Sequence, residues 1–336
     1  MKSILASNAK DRLFAVYPEE TLAQLEEHAG LDRSAVLTNQ NLEELRPLLA
    51  DVEVIFSTWG MPVLTEEQIA DYLPKLKEVY YSAGSVQAFA RPFLARGIRV
   101  YSAWAANGVP VAEYAVSQIL LANVGFYQAM RYQSTGQIEK ARAYSRLFPG
   151  NYDVKIGILG AGMIGTMVIE RLKKDYHVDV MVFDPFLPEE KAAALGVRKA
   201  SLAEVFSECQ TISNHIANNA QTVGMLNYES CFKYMKDNAA FINTGRGAQV
   251  VEADLVRVLR EKPDVTAVLD VTWPEPPEPG HPFYNLPNVF LTPHIAGSTG
   301  NEVHRMSLYM LEEFRRVHSG QAPLYEVSVD MLARMA

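Results

Sequence analysis

The sequence predicts an α/β protein built from two doubly wound parallel-sheet domains. Short β-rich runs alternate with amphipathic helical stretches over the first hundred residues, and a second series of the same kind opens at Val154. With 336 residues, 49% of them hydrophobic, the chain is long enough for two cores.

In the first series, 52–56, 78–81 and 98–101 read as strands, since they are short, apolar and rich in β-branched and aromatic residues. Helical patterns at 19–28, 42–49, 65–72 and 86–96 separate them, with Gly30, Gly84 and Gly97 as punctuation. From Pro110 to about Arg131, apolar residues recur at spacings of three and four, including Val111, Ala115, Ile119, Ala122 and Phe126. That predicts one long helix, apolar on more than one face, which is either buried between layers or shared with a second subunit. The second series predicts six strands, near 154–159, 178–183, 211–216, 239–243, 265–269 and 289–292. A six-stranded doubly wound sheet is the scaffold dinucleotide binding requires, so the cofactor domain belongs to the second half. A last helix is expected over 298–318, where the stripe through Met306, Met310 and Phe314 reads as core. Between the final strands, Pro274, Pro276, Pro277, Pro279, Pro282 and Pro287 predict a stiff surface loop.

Charge and composition exclude several classes of partner. The formal net charge of −8 argues against a nucleic-acid backbone, which calls for clustered Lys and Arg. Cys209 and Cys231 form neither a disulfide framework nor a metal-ligand spacing, so no metal is expected. The amino terminus turns polar before a signal-length apolar run can form, and no run approaches the roughly twenty residues that span a bilayer. A cytoplasmic protein with no membrane partner is expected.

The strongest motif is Gly160-Ala161-Gly162-Met163-Ile164-Gly165, placed between a predicted strand and a predicted helix. Gly160 permits the tight turn, Gly162 admits a pyrophosphate close to the backbone, and Gly165 lets helix pack on strand. The helix N-terminus at Met163 and Ile164 offers free N–H groups to the anion. The next strand ends in Asp184, about twenty residues beyond the last glycine, where a carboxylate accepts from ribose hydroxyls and repels a 2′-phosphate. NAD is therefore the expected cofactor.

Three further segments stand at predicted strand ends: Asn243-Thr244-Gly245-Arg246-Gly247, Asp270-Val271-Thr272-Trp273-Pro274-Glu275 and Thr292-Pro293-His294-Ile295-Ala296-Gly297. They supply a guanidinium, a carboxylate and an imidazole. Hydride transfer to a 2-oxo acid needs a carboxylate clamp, a polarised carbonyl and a proton donor to the developing alkoxide. Arg246 can serve the first two and His294 the third, with Glu275 orienting the imidazole and favouring its protonated form. Taken singly, each has an ordinary structural use: a loop ion pair, a solvated charge, a hydrogen bond at a helix entry.

On these motifs the chain resembles the D-isomer-specific 2-hydroxyacid dehydrogenases along nearly its whole length. The resemblance implies a Rossmann cofactor domain, 108–297, inserted in a flavodoxin-like substrate domain, 1–107 plus 298–336, and a homodimer made by the helix after Pro110. It places the catalytic roles on Arg246, Glu275 and His294, and further cofactor contacts on Ile216, Thr244 and Asp270. It also sets Ala83, Gly84 and Ser85 where backbone N–H groups meet the substrate carboxylate. The chain departs from the family pattern twice. Val86 and Gln87 follow that turn in place of the usual residues, and Ala217 replaces a proline after His215, which predicts a looser loop there and a structural His215.

A small 2-hydroxy or 2-oxo acid is thus the expected substrate. It should be non-phosphorylated, because 56–62 holds Trp59 and Met61 but no cation, and Trp104 adds a second large apolar body. The alternatives are a 3-phosphoglycerate-type dehydrogenase and a non-catalytic NAD-sensing, corepressor-like scaffold. Formate oxidation needs no proton on a carbinol oxygen, and the Glu275–His294 pair argues against it.

Overall fold

The computed structural model describes residues 1–332, so the last four residues of the expected 298–336 segment lie outside the described residues. Thirteen strands occur among those described: β1 Ser3–Ala6, β2 Leu31–Leu37, β3 Val54–Ser57, β4 Glu78–Tyr81, β5 Arg99–Ser102, β6 Lys155–Leu159, β7 Asp179–Phe183, β8 Arg198–Lys199, β9 Thr211–Asn214, β10 Ala240–Asn243, β11 Thr266–Leu269, β12 Val289–Leu291 and β13 Glu326–Val327. Internal contacts divide the chain into two compact units: Met1–Gly108 with the chain from Ser298 onward, and Val109–Gly297.

In the first unit the sheet order is β13-β5-β4-β3-β1-β2. β1 to β5 pair in parallel and only β13 runs antiparallel, with Glu326 opposite Tyr101. β3 and β4 are buried along their whole length, as parallel strands covered on both faces must be. β1 and β2 were not among the expected strands. β1 is only four residues long, and β2 lies at the sheet edge with a polar, solvent-facing middle, Asp32-Arg33-Ser34, that breaks any apolar pattern. The helix expected over 86–96 contracts to Ala90–Ala95, because 87–89 is taken up by a turn. The tail helix, Val303–His318, buries Met306, Met310, Leu311 and Phe314, and the Phe314 ring meets Phe56 and Tyr80 edge-on at 5.6 and 5.5 Å.

The second unit has the order β12-β11-β10-β9-β6-β7-β8, parallel throughout. There are seven strands rather than the expected six; the extra one, β8, is two residues long and too short to leave a periodic signal. The order reverses between β6 and β9, which puts the ligand crevice at the carboxyl ends of those two strands. The single helix expected over 110–131 is instead two, Trp104–Asn123 and Phe126–Gln133, with axes 65° apart. Gly125 breaks it, with φ of +70°, and a Cβ there would stand 2.2 Å from the Phe148 ring. The first helix starts before Pro110 and carries that proline inside it. Its Ala112, Ala115, Ile119 and Ala122 join the core formed with β6 and β7. No single helix among the described residues is long and apolar enough to cross a membrane.

Candidate active site

At the β6–β9 reversal the glycine turn is held by steric demands that can be read individually. Gly160 has φ of +85°, and a Cβ on it would come within 2.8 Å of the His215 carbonyl oxygen. A Cβ on Gly165 would lie 2.0 Å from the Gly160 carbonyl oxygen, so glycine is the only residue that fits. Gly162 differs: a Cβ there meets no atom of the chain within 4 Å, which leaves close approach by an outside group as the reason for glycine. The helix Met163–Asp175 begins at this point with no side chain capping it, so the Met163 and Ile164 amides face out with the positive end of the dipole.

Asp184 follows β7. One carboxylate oxygen accepts from the Ala161 N–H and the other from the Phe186 N–H, each at 2.8 Å, so the residue also ties the glycine turn to β7. Phe183, Asp184, Pro185, Lys199, Ser201 and Glu204 line a cleft of about 420 Å³. The cations beside it are already engaged: Lys199 pairs with Glu189 at 2.8 Å, and Arg198 with Glu208 at 3.0 Å. An adenosine ribose with free hydroxyls fits this carboxylate, whereas a 2′-phosphate would meet its charge with Lys199 and Arg198 already paired.

The three strand-end segments come together at the carboxyl edge of the same sheet. His294 Nδ1 lies 2.6 Å from Glu275 Oε1, which turns Nε2 away from the carboxylate. His294 has φ of +56°, a left-handed conformation costing a non-glycine residue about 1–3 kcal/mol, so its surroundings must impose it. Asp270 supplies much of that constraint. Its buried carboxylate accepts from Thr292 Oγ1 at 2.7 Å, the Ile295 N–H at 2.8 Å and the Ala296 N–H at 3.0 Å. Thr292 also meets the Tyr114 hydroxyl at 3.0 Å. Asp270, expected as a cofactor contact, thus spends its carboxylate on the turn that presents His294.

The Arg246 side chain is pinned by one bond, Nη1 donating to the Gly245 carbonyl at 2.8 Å, and makes no ion pair within 4.0 Å among the described residues. Desolvation pulls its guanidinium below the usual range, and the Glu275 charge opposes that pull. A partly buried, unpaired guanidinium is a ready partner for an anion.

Beneath Arg246 lies a buried amide cluster that the sequence motifs did not reveal. Asn214 Nδ2 donates to Asn243 Oδ1 at 3.0 Å and to Gln249 Oε1 at 2.7 Å, while Gln249 Nε2 donates to the Ile216 carbonyl at 2.7 Å. Gln249 Oε1 also accepts from the Arg246 N–H at 3.2 Å. Gly245 lacks a side chain because a Cβ would come within 2.9 Å of both Asn214 Nδ2 and Gln249 Oε1. The cluster ties Ile216 and Arg246 to β9 and β10. Beside it, the His215 ring sits between the hydroxyls of Ser213 at 2.9 Å and Thr244 at 3.4 Å, and burial pushes it down to about 4. The loop expected to be loose at Ala217 is tied by Thr222 Oγ1, which donates to the Ala217 carbonyl at 2.8 Å and accepts from the Asn219 N–H at 2.9 Å.

In the first unit the turn after β4 is organised by hydroxyls. Thr58 donates to the Ser82 carbonyl at 2.6 Å, and Ser102 to those of Ala83 and Gly84 at 2.9 and 2.6 Å. With those carbonyls drawn inward, the Gly84 and Ser85 amides make no hydrogen bond among the described residues, whereas the Ala83 N–H is used on the Tyr81 carbonyl at 2.9 Å. The amides of this turn left open to an outside group are therefore those of Gly84 and Ser85 rather than all three. Trp59 and Trp104 pack against the core of the unit, Trp104 edge-on to Tyr325 at 5.8 Å. Arg99, at the opposite end of β5, is held by Glu326 at 3.2 Å and Glu78 at 3.5 Å.

Comparison with known proteins places this geometry among relatives. Residues 116–296 match the family model described as D-isomer specific 2-hydroxyacid dehydrogenase, NAD binding domain. A glyoxylate reductase of Korarchaeum cryptofilum is 27% identical over 94% of this chain and 95% of its own length. A D-3-phosphoglycerate dehydrogenase of Archaeoglobus fulgidus is 30% identical over 67% of this chain, which spans 42% of that longer protein. Among solved structures, D-mandelate dehydrogenase of Rhodotorula graminis superposes with a TM-score of 0.79 at 18% identity, covering 97% of each chain.

Proposed function

Because the chain belongs to the D-isomer specific 2-hydroxyacid dehydrogenase family, we propose that it interconverts a small, non-phosphorylated 2-oxo acid and its D-2-hydroxy acid with NAD(H). The observation that carries the reading is the 2.6 Å contact of Glu275 with His294 Nδ1 at the mouth of the ligand crevice. When bound, NADH supplies the hydride. Glycine turn, helix amides and Asp184 hold its phosphates and ribose, and Ile216, Thr244 and Asp270 stand at the neighbouring strand ends. Arg246 clamps the substrate carboxylate and polarises the carbonyl; in the first unit, taken by itself, the Gly84 and Ser85 amides are open to a carboxylate. His294 gives its Nε2 proton to the developing alkoxide, while Glu275 holds the ring through Nδ1.

The non-phosphorylated preference rests on what the cations already do. Arg99 is committed to two carboxylates at the far end of its strand. Trp59 and Trp104 are only partly buried against the core of their unit, so packing does not account for the whole of either ring. The test is NADH oxidation with 3-phosphohydroxypyruvate against glyoxylate, hydroxypyruvate, pyruvate, 2-oxoisocaproate and phenylpyruvate. The highest kcat/KM is expected with a non-phosphorylated acid; a preference for the phosphorylated one would overturn the substrate reading.

A cytoplasmic homodimer completes the proposal. Its support is the exposed apolar surface of Val124, Phe126 and Met130 within the expected 110–131 stretch and of Ile138 and Leu147 beyond it, while Ala112, Ala115, Ile119 and Ala122 enter the core of their own unit.

A further inference from the structure

The loop that carries Glu275 is held locally by few bonds: the Thr272 hydroxyl donates to the Pro274 carbonyl at 2.9 Å and the Tyr284 hydroxyl to the Pro277 carbonyl at 3.0 Å. Between Trp273 and Phe283 it contains Pro274, Pro276, Pro277, Pro279 and Pro282, none of which has an N–H to donate. Its one internal backbone–backbone bond among the described residues is the His281 N–H on the Glu278 carbonyl, at 3.0 Å. A single carboxylate reaches both ends. Glu252, first residue of the helix Glu252–Glu261, accepts from the Trp273 N–H at 2.8 Å through Oε1, and its Oε2 lies 3.3 Å from His281 Nε2. His281 Nδ1 accepts from the Phe283 N–H at 3.3 Å, so the ring proton sits on Nε2 and faces Glu252. The Glu252 side chain is 12% exposed, and burial pushes its carboxyl above the usual range against the pull of the Trp273 amide and His281. The segment leading to it is also fitted to the loop, since a Cβ on Gly247 would come 2.0 Å from the Thr272 carbonyl carbon.

We propose that Glu252 is a positioning residue that grips the Trp273–His281 loop by both ends and so holds Glu275 against His294, an inference resting on the catalytic reading of that pair. Proximity makes this consequential: a carboxylate displaced by about 1 Å from its partner costs on the order of 10²-fold in rate.

The test combines kinetics with hydrogen exchange measured by mass spectrometry, on the full chain. Glu252→Ala should lower kcat by about 10–100-fold while the NADH dissociation constant stays within about twofold. Glu252→Gln keeps an oxygen for the Trp273 N–H and should recover most of that loss. In a Glu275→Gln background, Glu252→Ala should add less than about threefold, because a residue acting through Glu275 has nothing left to position. Exchange should accelerate over 271–283 in Glu252→Ala and stay unchanged over 156–165. His281→Ala, which frees one end of the loop, should move both readouts in the same direction but less, and it stands in should Glu252→Ala fail to fold. Unchanged exchange over 271–283, or full multiplicativity with Glu275→Gln, would overturn the clamp while leaving the dehydrogenase reading intact. A wild-type chain inactive on every 2-oxo acid would bring down that reading instead, and exchange would still decide whether the loop is gripped.

Discussion

Breaking the buried amide cluster beneath Arg246 should loosen substrate binding and destabilise the second unit by an amount its hydrogen bonds set. Asn214→Leu removes three bonds: to Asn243 Oδ1 at 3.0 Å, to Gln249 Oε1 at 2.7 Å, and from the Ile216 N–H at 3.2 Å. At about 1 kcal/mol for each, the loss is about 3 kcal/mol, and groups left buried without partners add about 1 kcal/mol more. Gln249→Leu also removes three, to Asn214 at 2.7 Å, the Ile216 carbonyl at 2.7 Å and the Arg246 N–H at 3.2 Å, for a similar loss. The two variants share the 2.7 Å bond, so the double variant should cost less than the sum of the singles by about 1–2 kcal/mol. Urea denaturation measures the energies, with unchanged m-values as the check that the unfolded state has not moved. Steady-state kinetics should show a raised KM for the 2-oxo acid because Arg246 loses its support, with a smaller loss of NADH affinity because Ile216 is loosened while the glycine turn stays intact. Single-variant losses below about 1 kcal/mol, or strict additivity, would refute the reasoning.

Three other outcomes follow from the site. His294→Gln should lower kcat by about 10²–10⁴-fold and leave NADH binding intact. His215, pushed down to about 4, is neutral above that pH, so His215→Asn should leave the pH profile in place; a displaced profile would move the proton donor to His215. NADPH should give a kcat/KM well below that of NADH because its 2′-phosphate would face Asp184 with Lys199 and Arg198 already paired, and equal efficiencies would contradict that assignment. Light scattering at micromolar concentration should give a dimer, and Phe126→Glu with Met130→Glu should yield monomers; a wild-type monomer would refute the interface.

The parts of the molecule legible in the sequence are those written in short-range chemistry. The glycine turn, Asp184 and the segments around Arg246, Glu275 and His294 each announce themselves within a few residues, and the structure places all of them at the carboxyl edge of one sheet. What escaped is long-range or too short to show a period. β2 lies at an edge with a polar middle, and β8 and β13 are two residues each. The break at Gly125 interrupts an apolar pattern that continues on both sides, and its cause, the Phe148 ring, lies outside any helical window. Asp270 clamps a turn more than twenty residues away, and Glu252 is an ordinary helix-start glutamate until Trp273 and His281 are folded onto it. The left-handed backbone at His294 belongs to the same class, since nothing in Thr-Pro-His-Ile predicts it without the Asp270 bonds.

The most direct measurement is the fate of deuterium from NADH labelled at the nicotinamide C4, with product configuration resolved by chiral chromatography. Reduction of the preferred 2-oxo acid should place deuterium on C2 of a D-2-hydroxy acid, and the transfer should collapse in Arg246→Gln and His294→Gln while both variants still bind NADH. An L product, a product without deuterium at C2, or undiminished transfer in those two variants would contradict hydride transfer at this site.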